Sequence, residues 1–337
     1  MEGAYLGRTG IRVSPLILGC GNFGGVGSAP AFFGKGETQE QAFALLDAAW
    51  EAGITTFDTA DAYGGGRSEA YIGAWLATKG PDVRDAIVLS TKTFNPMAEG
   101  ADHGLAPARV RRQVESSLGR LGVERVSMFL THDWDPDVPV AETAGVLDEL
   151  VAEGKIGAYG LSNVGGKELR EALDSGSWGW VQNSYSLLDR AAEAEVLPLC
   201  AEHGLGFTPF SPLSGGWLTG KYRRDAAAPE GSRMTMRPEP YERLRTDAVF
   251  DALEELERGG DQWLEAVAAK PPPPGLQSWP RDAAMAQFAF AWLLADPRVT
   301  AVVVGPRRPE HLAPALAALA APIDEHRHAE LAALFSF

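Results

Sequence analysis

The chain has only two cysteines in 337 residues, Cys20 and Cys200. That is too few for a disulfide framework or a thiolate zinc site. Long apolar runs are also missing, and none approaches the length of a transmembrane span. The first residues, Met1-Glu2-Gly3-Ala4-Tyr5, carry neither the basic nor the apolar segment of a signal peptide. A soluble, cytoplasmic protein is the expectation. Positive charge is scarce: 30 Lys and Arg stand against 45 Asp and Glu, for a net charge of −15. This balance argues against nucleic acid or an anionic membrane surface as a partner. An anionic ligand would need its own local basic pocket.

A hydrophobic share of 45% is ordinary for a globular chain and allows a sizeable core. The length exceeds the usual single domain, yet α/β barrels routinely pass 250 residues as one unit. The first residues form a hairpin pattern, 4–6 and 11–13 about a Thr9-Gly10 turn. Short apolar runs then alternate with amphipathic stretches. Strands are predicted at 16–18, 55–57, 87–89, 128–130, 156–159, 180–182, 207–210 and 301–304. Helices are predicted at 38–52, 69–78, 107–121, 140–153, 166–174, 192–203, 282–295 and 309–319. Eight strand–helix units argue for a parallel sheet with crossover helices. The count alone fits an open doubly wound sheet as well as a closed barrel. Two stretches interrupt the rhythm. One is the glycine-rich segment 24–36. The other, 222–280, lies between the seventh strand and its helix and includes the stiff run Pro271-Pro272-Pro273-Pro274. Both have the length of lids or binding loops.

Two phosphate-binding signatures fail in context. Gly19-Cys20-Gly21-Asn22-Phe23-Gly24 fits G-x-G-x-x-G after a strand, but a dinucleotide fingerprint needs a helix to open there. The chain continues instead through Gly25, Gly27, Pro30 and Gly34. Gly215-Gly216-Trp217-Leu218-Thr219-Gly220-Lys221 fits seven positions of a P-loop, but the eighth is Tyr222 rather than Ser or Thr. The glycines and Lys221 remain able to hold a phosphate of another kind. No tyrosine has a lysine four residues later, as a short-chain dehydrogenase would require.

Catalytic residues of α/β barrels come from the C-terminal ends of several strands. Here strand two ends in Asp58, followed after a short loop by Tyr63. Strand three ends at Lys92 and strand four at His132. Strand five runs into Ser162-Asn163, strand six carries Gln182-Asn183, and strand seven ends at Phe210-Ser211-Pro212-Leu213. Taken singly, an aspartate or histidine is usually structural; four such groups at neighbouring strand ends make a set suited to carbonyl reduction. A carbonyl that accepts hydride becomes an alkoxide and needs a proton donor. A phenol titrates near 10, and a nearby ammonium is expected to lower that value. Asp58 would hold Lys92 charged, and His132 would hydrogen-bond the carbonyl oxygen.

The motifs Phe57-Asp58-Thr59-Ala60-Asp61-Ala62-Tyr63-Gly64, Ser90-Thr91-Lys92, Thr131-His132 and Gly160-Leu161-Ser162-Asn163 resemble, in order, those of the aldo-keto reductase family. The resemblance covers nearly the whole chain. It implies a (β/α)8 TIM barrel with an N-terminal β-hairpin and a long insertion after strand seven. The whole chain, 1–337, is then a single domain with a loop insertion over 223–281. It also implies Asp58, Tyr63, Lys92 and His132 as catalytic residues, with Tyr63 as general acid and Lys92 as its modulator.

The same resemblance implies NADP as cofactor. Ser162, Asn163 and Gln182 match residues that bind the nicotinamide carboxamide, and Phe210 matches an aromatic ring on the nicotinamide face. Ser211, Leu213, Gly215 and Lys221 match the loop around the pyrophosphate. Gly305, Arg307, Glu310 and His311 belong to the segment near the adenosine 2′-phosphate, where Arg307 and Arg308 suit a dianion. Gly21, Asn22, Phe23 and Asp58 complete the implied cofactor contacts. Pro314-Ala315 stands where the family commonly has a Glu-Asn pair against adenine, a departure from its pattern.

The expected function is NADP-dependent reduction of an aldehyde, ketone or keto-sugar. Two alternatives share the residues: a cofactor-binding regulatory or scaffold subunit, and a sugar alcohol dehydrogenase working in the oxidative direction. Phe23, Phe32-Phe33, Phe94, Trp134 and the stretch 222–280 are the expected walls of the substrate pocket.

Overall fold

The computed structural model describes residues 1–267 and 283–337. The Pro271–Pro274 run and the predicted helix start at Asp282 lie outside the described residues. Ten strands occur among the described residues. Strands β1 (Ala4–Tyr5) and β2 (Arg12–Val13) form an antiparallel hairpin. The others are β3 (Leu16–Gly19), β4 (Thr56–Asp58), β5 (Val88–Thr93), β6 (Val126–Thr131), β7 (Ile156–Ser162), β8 (Trp180–Gln182), β9 (Gly206–Phe207) and β10 (Val302–Val304). They make one parallel sheet in the order β10-β3-β4-β5-β6-β7-β8-β9. Two further bonds join its ends: Thr300 N–H donates to Phe207 O (2.8 Å) and Val303 N–H to Pro209 O (2.9 Å). The sheet is therefore the expected (β/α)8 barrel, not an open doubly wound sheet. Strand β9 is shorter than the predicted 207–210. Pro209 lacks the N–H that would extend a ladder, and Phe210 resumes contact through an isolated bridge to Ser184.

The helices are α1 (Gln39–Glu51), α2 (Arg67–Ala77), α3 (Pro81–Ala86), α4 (Pro107–Leu121), α5 (Val140–Ala152) and α6 (Gly166–Leu173). They continue with α7 (Val196–His203), α8 (Arg233–Met236), α9 (Asp247–Val267), α10 (Ala284–Ala295), α11 (Ala313–Ala320) and α12 (Glu325–Leu334). Local chemistry explains the well-predicted ones. Helix α1 starts on a capping box, with the Thr38 hydroxyl accepting from Gln41 N–H and the Gln41 side chain accepting from Thr38 N–H. Helix α4 has Pro107 in its first turn and stops at Gly122, whose φ of 68° suits a residue without Cβ. Helices α3, α8, α9 and α12 were not expected. Helix α9 lies in the stretch read as a loop, and Val249, Leu253 and Leu256 give it a buried face. The predicted helices over 192–203 and 309–319 each begin with a separate 3-10 turn.

The core has two layers. Ile17, Met128, Leu130, Trp180, Ala301 and Val303 fill the barrel interior, and Leu6 and Val13 of the hairpin join them at its N-terminal mouth. Alternate strand residues, including Leu16, Leu18, Phe57, Phe129, Leu161 and Val302, face the helices. With apolar groups closing one mouth, polar strand ends are left at the other.

Candidate active site

Strand register sets the site. Asp58, the last residue of β4, lies opposite Ser90 of β5, and Lys92 lies opposite Leu130 of β6. His132 continues the β5–β6 ladder by one step, its N–H donating to Thr93 O at 2.9 Å. Ser162 and Gln182 pair at the ends of β7 and β8. These side chains therefore crowd the C-terminal mouth, as strand-end reasoning predicts.

Lys92 and Asp58 are almost fully buried, with Lys92 Nζ donating to Asp58 Oδ2 at 2.5 Å and to Thr59 O at 2.9 Å. Asp58 Oδ1 accepts from the Ser90 hydroxyl at 2.8 Å, and Gln182 Nε2 reaches across the mouth to it at 3.4 Å. Lys92 Nζ lies 5.2 Å from the centre of the Tyr63 ring. Tyr63 Oη is 3.4 Å from His132 Nε2, and the two rings meet edge to face with centroids 5.3 Å apart.

Burial and neighbouring charge together set the protonation states. Burial pushes the Tyr63 phenol up; Lys92 pulls it down and Asp58 raises it again. The net direction is upward, contrary to the expectation that Lys92 would lower it. The desolvation of a phenolate outweighs the neighbouring ammonium. For Lys92 the balance is the reverse: burial alone would lower its value, but Asp58 and Tyr63 raise it and keep the ammonium charged. His132 is held down to about 3 by burial and by the Lys92 charge, so its imidazole is neutral. Among the described residues, His132 Nδ1 is buried without a partner.

Two glycine-rich loops carry this arrangement. Gly64, beside Tyr63, has φ of 60°, and a Cβ there would meet Phe23 O at 2.6 Å. In the other loop, a Cβ on Gly21 would lie 3.5 Å from the Tyr63 ring. Beneath the loops, Glu69 is fully buried and accepts from Arg120 Nε (2.6 Å) and from the Thr91 hydroxyl (2.5 Å). Asp61, also fully buried, accepts from the Thr93 hydroxyl at 2.5 Å. Burial pushes its carboxyl up to about 7 despite that bond.

The expected cofactor residues fall into two groups. Ser162, Asn163 and Gln182 meet at the mouth: the Ser162 hydroxyl donates to Gln182 O (2.7 Å), and Asn163 Nδ2 donates to His132 O (2.8 Å). Asn163, Ser211 and Ser214 all have positive φ, of 57°, 56° and 45°. Strain of this kind in non-glycine residues concentrates at ligand clamps. Phe210 packs partly exposed against the interior cluster, and Leu213 packs on the outer core. Gly215 lies under the ring of Tyr241, where a Cβ would sit 2.5 Å from it.

The second group surrounds Lys221. Burial lowers the Lys221 ammonium, and repulsion from Arg233 and Arg307 lowers it further. Arg233 Nη2 donates to Asn22 Oδ1 at 3.0 Å, so this cationic cluster touches the residue next to Gly21. Arg307 Nε donates to Glu37 Oε1 at 2.7 Å. The ring of His311 accepts from Arg307 N–H (3.3 Å). Gly305 is exposed, and Glu310 pairs outward with Arg308 at 3.1 Å. Ala315 is buried inside α11.

Phe23 requires a correction. Its side chain is 1% exposed in the outer core, so it cannot wall the cleft; only its backbone reaches the loop, where it bridges to Glu37. Phe94 and Trp134 are partly buried against the outer core, and Phe33 lies beside Gly65. Sequence reasoning placed Ser90 in the Ser90-Thr91-Lys92 motif without a role of its own and missed Glu37 and Arg233. Ser90 had a signal, since it lies two residues before Lys92 on one strand. Glu37 and Arg233 had none.

A parallel barrel with a buried Lys–Asp pair, a phenol and a neutral imidazole at its C-terminal mouth is the architecture of a barrel oxidoreductase. Residues 15–335 match the Aldo/keto reductase family, and the chain belongs to it. It is 35% identical to an uncharacterized oxidoreductase, YrpG, of Bacillus subtilis (strain 168), over 96% of this chain and 93% of that protein. It is 33% identical to an NADH-specific methylglyoxal reductase of Escherichia coli (strain K12), over 95% and 94%. A probable voltage-gated potassium channel subunit beta of Oryza sativa subsp. japonica is 31% identical, over 90% and 87%. The chain is thus an oxidoreductase of a family that works with nicotinamide cofactors. No described helix is long and apolar enough to cross a membrane.

Proposed function

We propose that the protein reduces a small aldehyde, ketone or keto-sugar to the alcohol with NADP as cofactor and Tyr63 as proton donor. The observation that carries this reading is the Lys92 ammonium, fixed on Asp58 at 2.5 Å and set 5.2 Å from the Tyr63 ring. A phenol whose value is raised by burial stays protonated at neutral pH and is loaded for donation. Lys92 favours the phenolate left behind once the proton has moved to the developing alkoxide. His132, being neutral, orients the carbonyl oxygen through Nε2 as a hydrogen-bond donor and does not compete as an acid. Asp58 keeps Lys92 charged, and Ser90 and Gln182 hold Asp58. Water returns the proton to Tyr63 after release of the alcohol.

The chain's residues fit a nicotinamide dinucleotide. Asn163 and Ser211 are held at positive φ around the mouth, Phe210 offers a partly exposed ring, and Arg307 repels both Lys221 and Arg233, a repulsion that a bound anion would relieve. When bound, the cofactor supplies the hydride. Ser162, Asn163 and Gln182 would hold its carboxamide, Ser211, Leu213, Gly215 and Lys221 its pyrophosphate, and Arg307 with Arg233 its 2′-phosphate. Three clustered cations in a chain of net charge −15 favour the phosphorylated cofactor.

The test is a panel of small aldehydes, ketones and keto-sugars followed by NADPH absorbance, with NADH in parallel. Turnover with NADPH that is lost in Tyr63→Phe supports the reading. The 31% identity to a named channel subunit supports a second reading, a cofactor-binding subunit with little turnover. Tight NADP binding with negligible turnover across the whole panel would select it.

A further inference from the structure

Glu37 directly precedes the N-cap of α1 and is 4% exposed. Its backbone is pinned to the first glycine-rich loop, with Glu37 N–H donating to Asn22 O (2.8 Å) and Gly24 N–H to Glu37 O (2.9 Å). The carboxylate cannot swing far from that anchor. Oε1 accepts from Arg307 Nε at 2.7 Å, whereas Oε2 is buried and has no partner among the described residues. Buried carboxylate oxygens are normally both satisfied. Here a charged acceptor faces a site where Arg233 and Lys221 also gather. Arg233 senses both Arg307 and Glu37, and Lys221 senses Arg233 and Arg307.

Because Nε of Arg307 is taken by Glu37, the terminal Nη edge of that guanidinium is the edge left for an anion. An anion there sits one guanidinium away from a buried negative charge. Like charges that close repel, and repulsion grows with each unit of charge on the ligand. A 2′-phosphate dianion is therefore disfavoured more than a neutral ribose hydroxyl at the same place.

We propose that Glu37 is a specificity-determining residue, whose charge beside Arg307 weakens the preference for a 2′-phosphorylated cofactor and keeps the unphosphorylated one acceptable. The proposal rests on the reading that Lys221, Arg233 and Arg307 form the cofactor's anion site. Glu37→Gln keeps an acceptor for Arg307 Nε and removes only the charge.

The test is equilibrium binding of 2′,5′-ADP and 5′-AMP, by calorimetry, to the wild type, Glu37→Gln, Glu37→Ala and Arg307→Ala. In Glu37→Gln, affinity for 2′,5′-ADP should rise about tenfold, equivalent to about 1.4 kcal/mol, with 5′-AMP unchanged or weaker. Glu37→Ala should shift the ratio in the same direction and stands in if the glutamine variant misfolds. An unchanged ratio in the folded variants overturns the proposal. So does weaker 2′,5′-ADP binding in both, which would make Glu37 a support for Arg307. Arg307→Ala separates the two levels. If it weakens 2′,5′-ADP binding while the Glu37 variants leave the ratio unchanged, the anion site stands and only the role of Glu37 falls. If it leaves 2′,5′-ADP binding intact, the anion site itself is misplaced.

Discussion

The Lys92 ammonium stands between Asp58 Oδ2, at 2.5 Å, and the Tyr63 ring, whose centre is 5.2 Å away. Both partners favour the charged lysine, and burial at 1% exposure keeps water from screening either contact. One cation thus serves as a structural counter-ion and as the electrostatic neighbour of the proposed acid.

Tyr63→Phe removes the hydroxyl and keeps the ring against Gly21 and His132. Reduction should fall by about 100- to 10,000-fold, the usual contribution of a general acid, while the thermal midpoint changes little. Steady-state rates and a melting curve on the same preparation check this. Retained activity would falsify the assignment of the proton donor.

Lys92→Met strands Asp58 as an unpaired buried charge. Such losses cost about 3–5 kcal/mol of stability. The double variant Asp58→Asn, Lys92→Met should recover part of that loss, because no net charge then stays buried. Urea unfolding of the wild type and the two variants measures it; a double variant less stable than Lys92→Met alone would contradict the account.

His132 gives a pH dependence of definite sign. Its folded value, about 3, lies below the ordinary 6.5. Between those values the unfolded chain binds a proton that the folded chain refuses, so stability is lost as pH falls below 6.5. At pH 5 the loss should approach about 2 kcal/mol relative to neutral pH. His132→Gln should show a shallower decline over the same range, read from urea midpoints. Parallel curves would refute the shift.

Asp61 has the opposite sign. Its folded value, about 7, lies above the ordinary 3.8. The folded chain therefore holds a proton that the unfolded chain releases, and that contribution is full below 3.8 and lost as pH rises through 7. Asp61→Asn, which still accepts from the Thr93 hydroxyl, should gain stability over the wild type between pH 5 and pH 8. A constant difference across that range would show that Asp61 is ionised throughout.

Arg233, which the sequence did not single out, should matter for the cofactor. Arg233→Ala removes one cation and the bond to Asn22. Losing a hydrogen bond to a charged group costs about 1.5–3 kcal/mol. NADP affinity should fall by roughly tenfold or more, and NAD affinity by less. Equal losses for both would place Arg233 away from the 2′-phosphate.

Much of this molecule is written locally in its chain. The eight apolar runs named the barrel strands, because a strand buried on both faces needs consecutive apolar residues. Helix α4 was predicted over the residues it occupies, 107–121, since Pro107 and Gly122 punctuate a regular apolar period. The strand ends then listed Asp58, Lys92 and His132, because a parallel barrel sends every strand end to one mouth. Helix α9 also had a legible period, at Val249, Leu253 and Leu256, but the proline- and glycine-rich composition around it hid the pattern.

Tertiary structure alone decided the rest. Closure of the sheet depends on bonds from Thr300 and Val303 to a strand nearly a hundred residues earlier in the chain. The net direction of the Tyr63 shift is a contest between desolvation and charge, and desolvation exists only once the barrel has packed. Glu37 meets Arg307 across 270 positions, and Asn22 meets Arg233 across 211. No local period links such pairs, because Coulomb forces and hydrogen bonds act through space rather than along the chain. The sequence determined which groups stand at the barrel mouth; folding determined how each one is charged and what it touches.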